Sequence, residues 1–160
     1  MSEVAESAVV RKTLEVNAGI EHAFRVFTER MGQWWPKTHH IGKTDFEAVI
    51  VEPRAGGRMY ERAADGTECD WGKVLAWEPP QRFVFSWHLQ PDWTFNIDPA
   101  RASEVEIRFT SEGERKTRVE LEHRNLERHS EGWQQLRTGL DSPGGWTLVL
   151  DGFRELADAA

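Results

Sequence analysis

The 160-residue sequence has one cysteine, Cys69. No internal disulfide can form and a four-ligand cysteine zinc site is excluded, so the expected compartment is the reducing cytoplasm. Positive charge is also scarce. Twenty Lys and Arg stand against twenty-seven Asp and Glu, a formal net charge of −7. A chain so acidic lacks the electrostatic footprint needed for nucleic acid or an anionic membrane surface. No apolar run approaches the ~18 residues of a membrane span, and the first eight residues, MSEVAESA, have neither the basic start nor the apolar stretch of a signal peptide. Internal repeats, low-complexity tracts and HExxH, GxSxG, GxGxxG or Walker spacings are all missing. The histidines are scattered or, at His39-His40, adjacent and pointing apart in an extended segment. No metal and no cofactor is expected.

What the chain has in excess is rings. Eight Trp and eight Phe accompany one Tyr. Indole N–H groups need partners when buried, so a small tryptophan-rich domain points to a partly polar interior or a pocket as well as to a core.

The pattern along the chain predicts one domain over residues 9–158 behind a flexible segment at 1–8. VVRKTLEV at 9–16 reads as a strand. Asn17 is placed to cap a helix in which Ile20, Ala23, Phe24 and Phe27 recur at helical spacing. A short turn of helix, MGQWW, is stopped by Pro36. Six strands follow, at about 46–51, 58–63, 68–77, 83–87, 104–110 and 117–123. Asp65-Gly66 closes a hairpin between the second and third of these. The last two alternate cleanly, with Val105, Ile107 and Phe109 opposite Glu104, Glu106 and Arg108, and with Val119, Leu121 and His123 opposite Arg118, Glu120 and Glu122. Such strands belong to an antiparallel sheet with one wet face. Ser142-Pro143 then predicts the start of a terminal helix whose Trp146, Val149, Leu150, Phe153, Leu156 and Ala157 form one apolar stripe. The order β-α-α-β6-α is an α+β fold with a curved antiparallel sheet around a long C-terminal helix.

Six segments carry a family resemblance: AFRVFTERMGQWWP at 23–36, PRAGGRMYER at 53–62, ADGTECDWGKVLAWEPPQRFVFSWHL at 64–89, VEIRFT at 105–110, TRVELEHRNLER at 117–128 and GGWTLVLDGF at 144–153. In this order they resemble the START-like, helix-grip (SRPBCC) superfamily, and within it the group named after the heat-shock protein 90 ATPase activator. The resemblance implies a deep apolar cavity between sheet and helix and a small apolar or aromatic ligand. A chaperone partner is the lesser expectation, because the co-chaperone that names the group has an additional amino-terminal domain. Cyclase and hydrolase-type enzymes share the fold, so catalysis in the same cavity is a further alternative. A monomer and a homodimer are both compatible with the sequence.

Candidate ligand-binding residues follow from strand faces. Phe85 and Trp87 share one face of their strand, and Trp34, Trp35 and Trp71 are candidate walls. Trp93, in the loop beyond, is placed to close the pocket. His123 follows Val119 and Leu121 at strand period and therefore points inward; a one-residue slip would bury Glu120 and Glu122 instead. There a neutral imidazole offers one donor and one acceptor to a ligand. A two-residue Asp65-Gly66 loop would set Glu61 opposite Asp70, two carboxylates that must share a proton or a cation if they face each other. Glu61, Asp70 and His123 are the polar groups an enzyme would have to use.

Overall fold

The computed structural model describes residues 8–36, 46–90, 94–129 and 131–159. Strand β1 (Val10–Val16) leads into helix α1 (Ile20–Glu29) and the single turn α2 (Met31–Trp34). Six strands follow: β2 (Phe46–Val51), β3 (Arg58–Ala63), β4 (Glu68–Glu78), β5 (Arg82–Trp87), β6 (Ser103–Gly113) and β7 (Lys116–Arg124). Two helices, α3 (Trp133–Asp141) and α4 (Trp146–Asp158), end the chain. The strands make one antiparallel sheet in the order β1-β7-β6-β5-β4-β3-β2, so the first strand joins the last and every other neighbour is a hairpin partner. The expected α+β helix-grip fold is the observed one.

The alternation of β6 and β7 does what it predicts. Val105 and Ile107 are buried, paired with His123 and Leu121 across the ladder, while Glu104, Arg108, Glu120 and Glu122 occupy the other face. Helix α4 covers the inner face with Trp146, Val149, Leu150, Phe153 and Ala157, all buried. Phe153 meets Phe27 of α1 at 5.0 Å and Trp34 of α2 at 5.6 Å between ring centroids. Rings of this size bury the largest apolar area per residue and make α1, α2 and α4 one packed layer against the sheet.

Four local expectations are corrected. Helix α3 was not expected: Ser142 closes it as its C-cap and does not start α4, whose N-cap is Gly145. With Gly139 in its last turn and only Leu136 and Leu140 buried, α3 has too thin an apolar stripe to stand out by periodicity. Asn17 does not cap α1, which begins at Gly19 without a side-chain cap; instead the Asn17 N–H donates to Asp158 Oδ1 at 2.7 Å and ties the end of β1 to the end of α4. Ala8, placed by its sequence in a flexible segment, is buried, and its carbonyl accepts the Leu126 N–H.

The fourth correction moves a whole register. The β3–β4 loop has three residues, Ala64, Asp65 and Gly66, because the Ala63 N–H bonds to the Thr67 carbonyl and Gly66 sits at φ +90°. That left-handed conformation suits glycine and lengthens the loop by one residue. Glu61 is therefore opposite Cys69, and Asp70 is opposite Tyr60. A bulge beyond them restores the pairing of Met59 with Gly72. At Gly72 the strands approach so closely that a Cβ would lie 1.7 Å from the Ser86 carbonyl oxygen.

Candidate functional site

The inner face gathers tryptophans from separate parts of the chain. Trp35 follows α2, Trp71 lies on β4, Trp87 ends β5 and Trp146 begins α4. Trp35 and Trp71 are 4.7 Å apart between centroids, Trp35 and Trp146 6.0 Å, and Trp87 and Trp146 5.7 Å. Offset and edge contacts at these separations are favourable ring geometries, so the four indoles form a continuous wall.

Two polar groups finish the wall. At the Trp71 end, the Trp71 indole N–H donates to Glu61 Oε1 at 3.0 Å, and Glu61 is buried. Glu61 and Asp70 do not face each other. Asp70 is half-exposed on the outer surface and pairs with Arg58 at 2.6 Å, a partner the two-residue loop had not suggested. At the Trp87 end stands His123, fully buried, 5.2 Å from the Trp87 ring.

The protonation of His123 follows from its neighbours. The Trp146 indole N–H, which can only donate, lies 3.1 Å from Nδ1, so Nδ1 is the acceptor and Nε2 carries the proton. Nε2–H then donates to Ser103 Oγ at 2.7 Å, and the Ser103 hydroxyl donates to His129 Nε2, also at 2.7 Å. His129 Nδ1–H is left for Gln90 Oε1 at 3.2 Å, and Gln90 Nε2 donates to the carbonyls of His88 and Arg101. Every link has one donor and one acceptor. Burial, and then the neighbouring His129, push the His123 pKa down to about 3. Burial, and then His88, push His129 down to about 4. Both rings are neutral at pH 7.

His123 thus points inward, as strand alternation requires, but both ring nitrogens are already taken by Trp146 and Ser103. It does not offer a free donor and acceptor to a ligand; it fixes the indole of Trp146, which belongs to the wall. Trp146, Ser103 and His129 were absent from the sequence-derived site. Trp146 read as helix stripe, and nothing in the spacing links Ser103 or His129 to a histidine on another strand. Phe85 is buried on the inner face against Phe83 at 5.3 Å. Trp34 packs behind the wall on Trp35, 5.8 Å between centroids, and its indole N–H donates to the Val26 carbonyl of α1 at 2.8 Å. Trp93, His39 and His40 lie outside the described residues. Among the described residues no group of three or more His, Cys, Asp or Glu is arranged to hold a metal. Cys69 is held in its thiol form by burial and by the charges of Glu61 and Asp70, which raise its pKa.

The model of the family described as activator of Hsp90 ATPase homolog 1-like protein matches residues 17–158, nearly the whole helix-grip unit. The chain belongs to that family. Solved structures share its fold along nearly the whole chain. An anthrahydroquino-gamma-pyrone synthase, Txn09, complexed with a compound designated SUM, is 41% identical, covers 92% of this chain and 96% of its own, and has a TM-score of 0.66. CalC, a self-sacrificing resistance protein from Micromonospora echinospora, is 26% identical over 96% of both chains, with a TM-score of 0.67. The Aha1 dimer from Colwellia psychrerythraea, at 14% identity, 94% and 96% coverage and a TM-score of 0.60, shares the fold. No curated protein sequence matches the chain significantly. Among the described residues no helix is long and apolar enough to cross a membrane.

Proposed function

We propose that this activator-like protein binds a planar, fused-ring aromatic molecule against the Trp35–Trp71–Trp146–Trp87 wall and closes an oxygen-containing ring on it. The observation that carries this reading is the 41% identity, across 92% of the chain, with an anthrahydroquino-gamma-pyrone synthase. The wall supports it physically. Flat indoles give a polycycle large contact at low entropy cost, and convergent polar groups at the two ends supply orientation. Of the ionisable side chains touching those rings, His123 is neutral with its proton committed to Ser103. Glu61 is the carboxylate, placed to exchange a proton with a phenol of the bound polycycle.

The test is titration with an anthrahydroquinone that still carries its open side chain, following tryptophan fluorescence for binding and mass-resolved chromatography for the ring-closed product. Binding should quench the indoles, and Trp87→Ala should weaken it about tenfold, the effect of losing ~1.4 kcal/mol of ring contact. Glu61→Gln should retain binding and lose turnover. Absence of quenching at millimolar ligand would remove the reading altogether. Binding without product in the unaltered protein would leave a carrier rather than a cyclase.

A further inference from the structure

The opposite face of β5 carries a second polar arrangement, turned away from the tryptophan wall. Ser86 and His88 stand two residues apart on the outer face, alternating with Phe85 and Trp87. His88 Nδ1 lies 2.7 Å from the Asn96 carbonyl oxygen. A carbonyl can only accept, so Nδ1 carries the proton and Nε2 presents its lone pair. That lone pair faces Ser86 Oγ at 2.8 Å. Ser86 Oγ also accepts the Lys73 backbone N–H at 2.9 Å, and its own hydrogen has two acceptors in reach, His88 Nε2 at 2.8 Å and the Lys73 carbonyl at 3.4 Å, of which His88 is the nearer. The result is a hydroxyl, a neutral imidazole base and a carbonyl that fixes the base's tautomer, the three roles that activate a serine.

Both side chains line a hollow of about 170 Å³ between the sheet and the segment at 94–102. Its walls include Leu75 and Ile97, and Phe95 stacks on the His88 ring at 5.3 Å between centroids. Among the described residues four large apolar side chains are exposed, and these are three of them, with Ile97 75% exposed. Clustered exposed apolar groups mark a binding surface more often than packing. Lys73 lines the same hollow, and its positive charge reaches His88. Cys69, the other conventional nucleophile nearby in sequence, belongs to β4 opposite Glu61 and is not part of the lining.

We propose that this hollow is an acyl-transfer site, separate from the tryptophan wall, in which Ser86 is the nucleophile and His88 the general base for short-chain esters. Ser86 Oγ bonds to the acyl carbon while its proton passes to His88 Nε2. The oxyanion forms within reach of the Lys73 charge. Collapse breaks the ester C–O bond, and the departing alkoxide or phenoxide takes the proton back from His88. Water, deprotonated by the same nitrogen, then releases the carboxylic acid and restores Ser86. At about 170 Å³ the hollow admits a short acyl chain and excludes a fused polycycle, since drug-sized ligands need roughly 300 Å³ or more.

The experiment treats the full chain with p-nitrophenyl acetate, follows p-nitrophenolate release and maps the adduct by peptide mass spectrometry. A single acetyl group on Ser86 is expected. Ser86→Ala should abolish it, Cys69→Ser should leave it, and His88→Gln should slow acylation about a hundredfold, the usual contribution of a general base. An adduct on Cys69 or on lysines, or undiminished labelling of a folded Ser86→Ala protein, would overturn the assignment. Should Ser86→Ala fold poorly once the Lys73 N–H loses its acceptor, mapping on the unaltered protein still decides. Ring closure at the inner face uses none of these residues, so either reading can fail without the other.

Discussion

The two faces of the sheet solve the same problem in opposite ways. At the Trp87 end of the inner face, polar groups are held without charge: Trp146, His123, Ser103, His129 and Gln90 each hand on one hydrogen bond, and both histidines stay neutral. On the outer face, one buried carboxylate is kept charged. Glu106 accepts Arg82 and Arg108 at 2.7 Å each and also Arg124, while its neighbours Glu104 and Glu122 share Arg124. Burial alone would raise the Glu106 pKa, but the bonds from Arg108, Arg82 and Arg124 hold it at about 2. The difference lies in what surrounds each group. His123 is fully buried and its ring nitrogens meet only the neutral Trp146 indole and Ser103 hydroxyl, so neutrality is the stable choice. Among half-wet arginines, the ionised carboxylate is better served than the acid.

The largest test of this contrast is His123→Ala. It removes a fully buried ring, leaves the Trp146 N–H without an acceptor and takes from Ser103 Oγ its donor, so a loss of about 4 kcal/mol in urea unfolding is expected. His123→Phe, which keeps the ring volume, should lose about 2 kcal/mol through the orphaned Trp146 N–H and the unmatched Ser103 acceptor alone. If the two variants lose equal amounts, packing is irrelevant and the relay is the whole effect.

Acid should separate the faces by pH window. His123 and His129 have folded pKa values of about 3 and about 4, below the ordinary 6.5, so the unfolded chain binds their protons first. Their contribution is fully present above pH 6.5 and is lost as pH falls toward 4 and 3. Glu106, lowered from 4.5 to about 2, contributes fully above pH 4.5 and loses that contribution as pH falls toward 2. Stability measured from pH 7 to 3 should therefore decline in two stages. Glu106→Gln should flatten the lower stage only; flattening of the upper stage would mean the two faces are coupled.

Smaller effects belong to the wet surface. At pH 7, Glu106→Gln should cost about 1–2 kcal/mol, because its arginines remain partly hydrated. Asp70→Asn, which breaks a pair with Arg58 in which both partners are about 40% exposed, should cost under about 0.5 kcal/mol. A loss above 1 kcal/mol there would show the outer surface to be more rigid than its exposure implies.

Sequence legibility followed the strength of the local signal. Strands β6 and β7 and the stripe of α4 were readable because alternation and helical period each repeat over several residues. The inward faces of Trp87 and His123 followed from alternation in their own strands, whereas Trp35 and Trp71 were candidate walls by residue type alone. The three-residue Ala64–Gly66 loop was not readable, since Asp-Gly suits two loop lengths, and one residue of slip separated Glu61 from Asp70. Helix α3, with two buried leucines, lacked a stripe wide enough to see.

The sequence by itself determined the run of strands and helices that sets the fold class and the shared face of Phe85 and Trp87 and of His123 with Leu121, because each depends on periods of two or 3.6 residues within a single element. Tertiary structure alone decided that Trp146 closes the wall, that the His123 nitrogens are taken by Trp146 and Ser103, and that Ser86 and His88 meet Asn96 beside an outer hollow. The contacts of His123 with Trp146 and Ser103 and of His88 with Asn96 join residues eight to twenty-three positions apart. Hydrogen bonds at such separations leave no periodic trace in the chain; they exist only once the sheet has brought the partners within about 3 Å.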